Sequence, residues 1–214
     1  MQLLLETARA DEVREAAEWR VIDGVMTDPA LMADENADKT ELVLELLELV
    51  GGPVFVEVTA GETASMIEEA RALSGLADRV VVRIPCIAAG IPAIAALADE
   101  RLPVDASLCF SVSQALLAAK AGARFLTPPV GAVDEAGGDG LTLVSSILTM
   151  LDQYDFKANV IVSATDNAQH VSEAARMGAD GAAISLPLLR RLVDHPLTDA
   201  HRRAHLERWR RAQH

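Results

Sequence analysis

The chain reads as a single α/β domain of the (β/α)8 barrel class, and three observations predict this. Short β-branched runs alternate with Ala/Leu-rich helical stretches along the whole length. Hydrophobic residues make up 50% of the 214 but aromatics only 3%, so the core has to be built from Val, Ile, Leu and Ala, as barrel interiors usually are. No break in composition divides the chain, and its length suits one domain. A doubly wound open sheet is the alternative. It calls for a glycine-rich turn straight after the first strand, where Thr7-Ala8-Arg9 stands instead.

The first strand is expected at Leu3–Glu6, followed by a helix over 9–18. Val21–Met26 and Pro53–Thr59 form the second and third strands; the helix between them, near 39–50, stops at Gly51-Gly52. Thr63, ahead of Met66-Ile67, signals the start of a helix over 62–74, and Arg79–Ile84 is the fourth strand. A helix near 88–99 leads to the fifth strand, Pro103–Ser107. Ser111 then starts a helix over 111–121 with an apolar stripe at Ala115, Leu116 and Ala119, and Gly122 ends it. Arg124–Thr127, a helix over 140–152, and Asn159–Ser163 follow. A helix over 167–177 stopped by Gly178, then Gly181–Ser185 and a helix over 186–194, complete eight units within residues 1–196. Gly137-Gly138-Asp139-Gly140 reads as a loop leading into a helix rather than a phosphate cradle. Residues 197–214 carry a ninth helix, roughly Asp199–Gln213, with Leu206 and Trp209 on one stripe. Such a tail must cover either the barrel's own wall or another subunit.

A net charge of −13 argues against nucleic acid and anionic membrane as partners. No apolar stretch is long enough to span a bilayer. Met1-Gln2-Leu3-Leu4-Leu5-Glu6 has neither a basic region nor a cleavage pattern, so a cytoplasmic location is expected. Cys86 and Cys109 are read as two buried thiols. Arg190, Arg191, Arg202, Arg203, Arg208, Arg210 and Arg211 crowd the C-terminus. They suit a solvated helix that complements its own dipole, or an interface with an acidic neighbour.

The strand ends carry the chemistry. Glu6 ends the first strand, Asp28 follows the second, Glu57 interrupts Val54–Val58, and Arg83 interrupts Val80–Ile84. Asp105 and Ser107, two apart, share a face of the fifth strand. A charge among Val and Ile costs several kcal/mol, on the order of the desolvation penalty, unless it is paired or solvated. A Glu57–Arg83 ion pair that merely fixes the barrel would account for those two residues but not for Glu6, Asp28 and Asp105. Crowded carboxylates raise at least one pKa, which suits a general acid. Alternatively, a substrate amine or a hard cation such as Mg²⁺ neutralises them. Zinc's nitrogen and sulfur ligands are missing: His170, His195, His201, His205 and His214 all fall on outer helices or the tail and read as surface residues. Apart from that Mg²⁺, no metal or cofactor is expected.

Leu5-Glu6-Thr7, Gly24-Val25-Met26-Thr27-Asp28-Pro29, Val82-Arg83-Ile84-Pro85 and Val104-Asp105-Ala106-Ser107-Leu108-Cys109-Phe110-Ser111, in this order and at barrel spacing, are similar to the motifs of transaldolases, nearest the short fructose-6-phosphate aldolase-like members. The likeness extends to Leu186-Pro187 and the Trp-bearing last helix. It implies a barrel that makes and breaks carbon–carbon bonds through a lysine imine on the fourth strand, at the position of Arg83. A guanidinium stays protonated and cannot be that nucleophile, and Lys39, Lys120 and Lys157 fall on helices or a loop before a strand. By the same resemblance, Glu6 stands for an Asp, Asp28 for an Asn, Asp105 and Ser107 for an Asn and a Thr, and Glu57 for the group that with Ser107 holds a catalytic water. The phosphate-binding Arg and Ser correspond to Ala132 and Ala164, and Asp166 lies where a basic residue is common, which argues against a phosphosugar.

The expected site therefore has Arg83, Glu57 and Ser107 as its catalytic residues. Glu6, Asp28, Asp105, Thr27 and Phe110 are the substrate contacts. Acid/base chemistry on an unphosphorylated polar or cationic small molecule is the first reading. A catalytically silent binding or assembly protein is the second, and a metal-assisted aldol reaction the third. The resemblance also implies a homo-oligomer, a pentamer or decamer, with Leu206 and Trp209 as interface anchors.

Overall fold

The computed structural model describes residues 1–35, 37–165 and 167–213. Eight strands close in sequence order into a barrel in which every neighbouring pair is parallel: β1 (Gln2–Glu6), β2 (Gly24–Met26), β3 (Val54–Glu57), β4 (Val80–Pro85), β5 (Val104–Ser107), β6 (Phe125–Leu126), β7 (Asn159–Val162) and β8 (Gly181–Ile184). The closed ring rules out the open-sheet alternative. Eight of the helices answer to the expected ones: α1 (Ala10–Glu18), α3 (Lys39–Leu49), α4 (Thr63–Ser74), α5 (Gly90–Asp99), α6 (Val112–Lys120), α8 (Gly140–Gln153), α9 (Ala168–Met177) and α10 (Leu186–Arg191). Two short ones were not foreseen: α2 (Pro29–Asp34) and α7 (Val130–Glu135).

Side chains two apart on a strand share a face, and the packing divides accordingly. Leu4, Met26, Phe55, Val81, Phe125, Ile161 and Ala183 form their own cluster inside the ring, and their neighbours Leu5, Val25, Val54, Val56, Val82, Val160 and Ala182 pack outward against the helices. Phe55 and Phe125 meet edge to face with centroids 5.2 Å apart. One two-residue step toward the C-terminal ends, the inner wall changes to Glu6, Asp28, Glu57, Arg83, Ser107, Thr127, Ser163 and Ser185. The apolar plug thus supports a polar rim.

Most caps follow the expected local chemistry. Ser111 accepts a hydrogen bond from Gln114 N at 3.2 Å, and Gly178 ends α9 at φ 89°, a left-handed conformation that glycine adopts without steric cost. Asp139 caps α8 by accepting from Thr142 N at 2.8 Å, while a Cβ on Gly140 would meet the Val130 carbonyl at 2.4 Å, so Gly137–Gly140 is a loop leading into a helix. Thr63 is a correction. It is the first residue of α4, capped by no side chain, and its hydroxyl instead donates to the Ala89 carbonyl at 2.7 Å. Among the described residues no helix is long and apolar enough to cross a membrane.

The last helix, α11 (Pro196–Ala212), has none of its residues buried. Leu206 and Trp209 are 40% and 62% exposed, so the barrel's own wall does not take up the apolar stripe.

Candidate active site

Strand register builds the centre of the site. Glu57 is paired with Arg83 across β3 and β4, and Arg83 with Asp105 across β4 and β5, so three ionisable side chains lie side by side at the C-terminal ends of adjacent strands. The expected Glu57–Arg83 pair is not the tightest contact. Arg83 Nε donates to Asp105 Oδ2 at 2.9 Å and Nη1 donates to the Thr27 carbonyl at 2.9 Å, whereas Nη1 is 3.7 Å from Glu57 Oε2. Thr127 Oγ1 donates to the other Asp105 oxygen at 2.5 Å. Asp105 is 0% exposed and spends both oxygens on these two partners, so it orients Arg83 rather than facing a substrate. The guanidinium plane is fixed from two sides. Nη2 carries no hydrogen bond to the described residues.

Two other expected substrate contacts are also redirected. Asp28 accepts a hydrogen bond from Leu31 N at 2.9 Å and caps α2, with Pro29 as first helical residue. Thr27 lies on the outward face with Val25, its hydroxyl 3.5 Å from the Asp28 carbonyl, so its contribution to the site is the backbone oxygen that receives Arg83. Phe110 is 46% exposed on the loop after β5. Glu6, at the end of β1, is close enough to Arg83 to favour its charged form.

Glu57 and Ser107 remain turned to the barrel mouth. Burial pushes the Glu57 carboxyl above its ordinary value, with the Asp105 and Asp28 charges adding to it; Arg83 and the Ser107 hydroxyl pull the other way. Ser107 Oγ is fully buried beside Glu57 and, among the described residues, makes no hydrogen bond of regular distance and angle. A Glu whose folded pKa lies above its unfolded one contributes stability only while protonated, and that contribution is lost as pH rises through the folded value. Glu57→Gln is therefore expected to melt at or above the wild-type temperature near neutrality, with the gap closing at about pH 4. Thermal unfolding at the two pH values checks this, and a variant that melts lower near neutrality refutes it.

The lysines lie elsewhere. Lys39 Nζ reaches the Glu57 carbonyl at 2.7 Å but is held by the Glu69 carboxylate at 2.6 Å, at the junction of α3 and α4. Lys120 ends α6, and Lys157 pairs with Asp155 at the surface. Ala132 lies in α7. The N–H of its neighbour Gly131 donates to the Ala164 carbonyl at 3.0 Å. Asp166 and His214 lie outside the described residues.

His170 corrects the expectation that the histidines are on the surface. It is buried in α9 with Nε2 3.0 Å from Asp134 Oδ2, while the other Asp134 oxygen accepts Gly140 N at 2.7 Å. Cys86 and Cys109 are both buried, as expected, and lie next to each other past the ends of β4 and β5. Their mutual hydrogen bond and burial push the Cys86 thiol up. Among the described residues no group of three or more His, Cys, Asp or Glu is placed to hold a metal ion. The carboxylates an oxygen-ligated cation would need are partly committed, Asp105 at both oxygens and Asp28 at one. Sequence reasoning missed Thr127. Its position two residues after Phe125 was the available signal, because that step places it on the inner wall beside Asp105.

An eight-stranded parallel barrel with ionisable groups gathered at the C-terminal strand ends has the architecture of barrel enzymes, whose active sites lie at that face. The sequence comparisons narrow the class. The chain belongs to the transaldolase/fructose-6-phosphate aldolase family, which matches residues 3–214. It is 40% identical over 209 residues to a "Probable transaldolase" of Aquifex aeolicus, covering 98% of this chain and 96% of that one. It is 44% identical over 208 residues to the "Probable transaldolase" of Chlorobium phaeovibrioides, covering 94% of each. Among solved structures, a flavocytochrome b2 variant with sulfite bound gives a TM-score of 0.65 at 12% identity, covering 87% of this chain and 57% of that one. A mandelate oxidase variant with an FMN adduct gives 0.61 at 13%, covering 86% and 65%. The chain thus spans about two thirds or less of these structures, and at such identity the likeness is one of fold alone.

Proposed function

We propose that this family member is a barrel enzyme that works by non-covalent acid/base chemistry, with Arg83 standing where the imine-forming lysine of a transaldolase would stand. The observation that carries this reading is the buried Arg83–Asp105 pair at 2.9 Å at the end of β4. A guanidinium so placed stays charged; it polarises or orients a carbonyl, carboxylate or hydroxyl but does not attack one. Glu57, with its raised pKa, transfers a proton directly or through a water held with Ser107. Dehydration, isomerisation, cyclisation and hydrolysis are the reaction types that suit such a set. The substrate is an unphosphorylated polar or cationic small molecule: Ala132 and Ala164 offer no cation to a phosphate, and the mouth carries excess negative charge. Borohydride treatment with dihydroxyacetone or fructose 6-phosphate tests the reading. No covalent adduct is expected, and an adduct on any lysine overturns it.

The exposed last helix favours an assembly role beside catalysis. Its seventeen residues extend for about 25 Å at the ordinary helical rise, with no buried residue. Arg202, Arg203, Arg208, Arg210 and Arg211 give it a positive charge on an otherwise acidic chain, which suits docking onto a second copy in a homo-oligomer, a pentamer or decamer. Leu206 and Trp209 would be its anchors. Trp209→Glu should reduce the particle to a monomer in light scattering, and an unchanged mass would count against the docking role. If Glu57→Gln and Arg83→Ala left every cellular phenotype intact while tail mutations did not, assembly would be the chain's whole function.

A further inference from the structure

The N-terminal end of the barrel, opposite the polar rim, holds a cavity of its own. We propose that this cavity is a second binding site for a small carboxylate with a flat apolar body, the carboxylate on Arg124 and the body against Val81 and Phe125. The site is separate from the rim and does not depend on the chemistry there.

Strand alternation builds its apolar half. Gln2, Pro53 and Arg79 stand two residues before Leu4, Phe55 and Val81, so they ring the barrel axis on the entry side of the plug. With Pro103 and Phe125 they enclose a cavity of about 340 Å³. That is toward the lower end of the usual range for small-molecule sites, roughly 300–1,000 Å³. Of the plug side chains, Leu4, Met26, Phe55, Ile161 and Ala183 are 0% exposed, whereas Val81 and Phe125 keep 5% and 8%, and these two line the cavity. The plug is thus left uncovered over two apolar side chains. Pro53 and Pro103 add apolar walls and no N–H. The rest of the plug separates the cavity from Glu57 and Arg83.

Two arginines supply the charge. Arg79 is fixed in place: Nη1 donates to the Val50 and Gly52 carbonyls at 2.6 and 2.9 Å, and Nη2 donates to the Leu47 carbonyl at 2.8 Å. Those acceptors are neutral, so its charge stays unpaired. Arg124 lies 5.6 Å over the Phe125 ring and, among the described residues, makes no hydrogen bond or ion pair. Its donor fork matches a carboxylate. Asp78, also on the lining and bonded to neither arginine, leaves the cavity net positive on a chain of net charge −13. A monoanion fits that balance, because Asp78 opposes the second charge of a dianion. An anion without an apolar body leaves Val81 and Phe125 wet, and a neutral apolar molecule gains nothing from the Arg124 fork.

Benzoate, benzyl alcohol and inorganic phosphate are the probes, titrated against the full chain by NMR at constant ionic strength. Benzoate should bind at least about tenfold tighter than either of the others, the effect of one charge-assisted pair. Its ring current should shift the Val81 methyl resonances, which locates it in the wild type. Arg124→Gln should bring benzoate down to the level of benzyl alcohol. Arg101→Gln removes the same charge from a residue that does not line the cavity, so benzoate affinity should change by less than about twofold. Both arginines are exposed; thermal unfolding verifies that the variants are folded, and if one is not, the wild-type affinities and the Val81 shifts decide. Equal binding of benzoate and benzyl alcohol, tightest binding by phosphate, no binding of benzoate, unmoved Val81 methyls, or benzoate affinity that survives Arg124→Gln overturns the proposal.

Discussion

Arg83→Met is expected to destabilise the barrel by about 3–5 kcal/mol, the cost of leaving a buried carboxylate without its counter-ion. Asp105 is fully buried and, among the described residues, has Arg83 and Thr127 as its side-chain partners, so loss of the guanidinium strands a charge in the low-dielectric wall of the barrel. The double variant Arg83→Met with Asp105→Asn should recover most of that loss, because the amide keeps the shape of the carboxylate and accepts the Thr127 hydroxyl without needing a cation. Urea unfolding of the four proteins forms the cycle. Arg83 and Asp105 are unpaired in energy, whatever their distance, if the single variant loses less than about 1 kcal/mol or the double loses as much as the sum of the singles.

The second large effect is a gain. Arg83→Lys alone should trap almost no imine with dihydroxyacetone and borohydride, and Arg83→Lys with Asp105→Asn should trap it readily. An imine needs a neutral amine. A lysine in place of Arg83 would put its nitrogen near the present guanidinium carbon, one bond beyond the Nε that lies 2.9 Å from Asp105 Oδ2, close enough for the carboxylate to hold it protonated. Removing that charge, at a buried position where desolvation already disfavours an ammonium, lets the amine lose its proton more readily. Intact-mass measurement reads the outcome as the mass of one dihydroxyacetone less water plus two hydrogens, located at residue 83 by peptide mapping. Equal trapping in the single and double variants would show that Asp105 does not control the position. No trapping in either would show that the end of β4 is not open to a ketone.

The site was legible in the sequence in part, and the reason lies in how strands work. Glu57, Arg83, Asp105 and Ser107 stand out because charges and hydroxyls among Val and Ile are costly, and the two-residue step places them on one wall. The allocation of Arg83 between Glu57 and Asp105 was not legible. Both flank it in register, and only the path of the guanidinium decides which carboxylate it meets at 2.9 Å and which at 3.7 Å. Asp28 shows the converse. Followed by Pro29, it carried the signature of a helix start, and it caps α2. His170 was misjudged because a helix position says nothing about what the neighbouring helix brings, here Asp134 of α7.

By itself the sequence determined the alternation that makes eight parallel units, the polar strand ends and the excess of negative charge, since each depends on residues close in the chain or on their sum. Tertiary structure decided which carboxylate is spent on Arg83, how Ser107 sits beside Glu57, and that the last helix buries none of its residues. Those outcomes depend on distances between side chains far apart in sequence, and a buried charge or hydroxyl changes by several kcal/mol, on the order of its desolvation cost, with whether a partner is within reach.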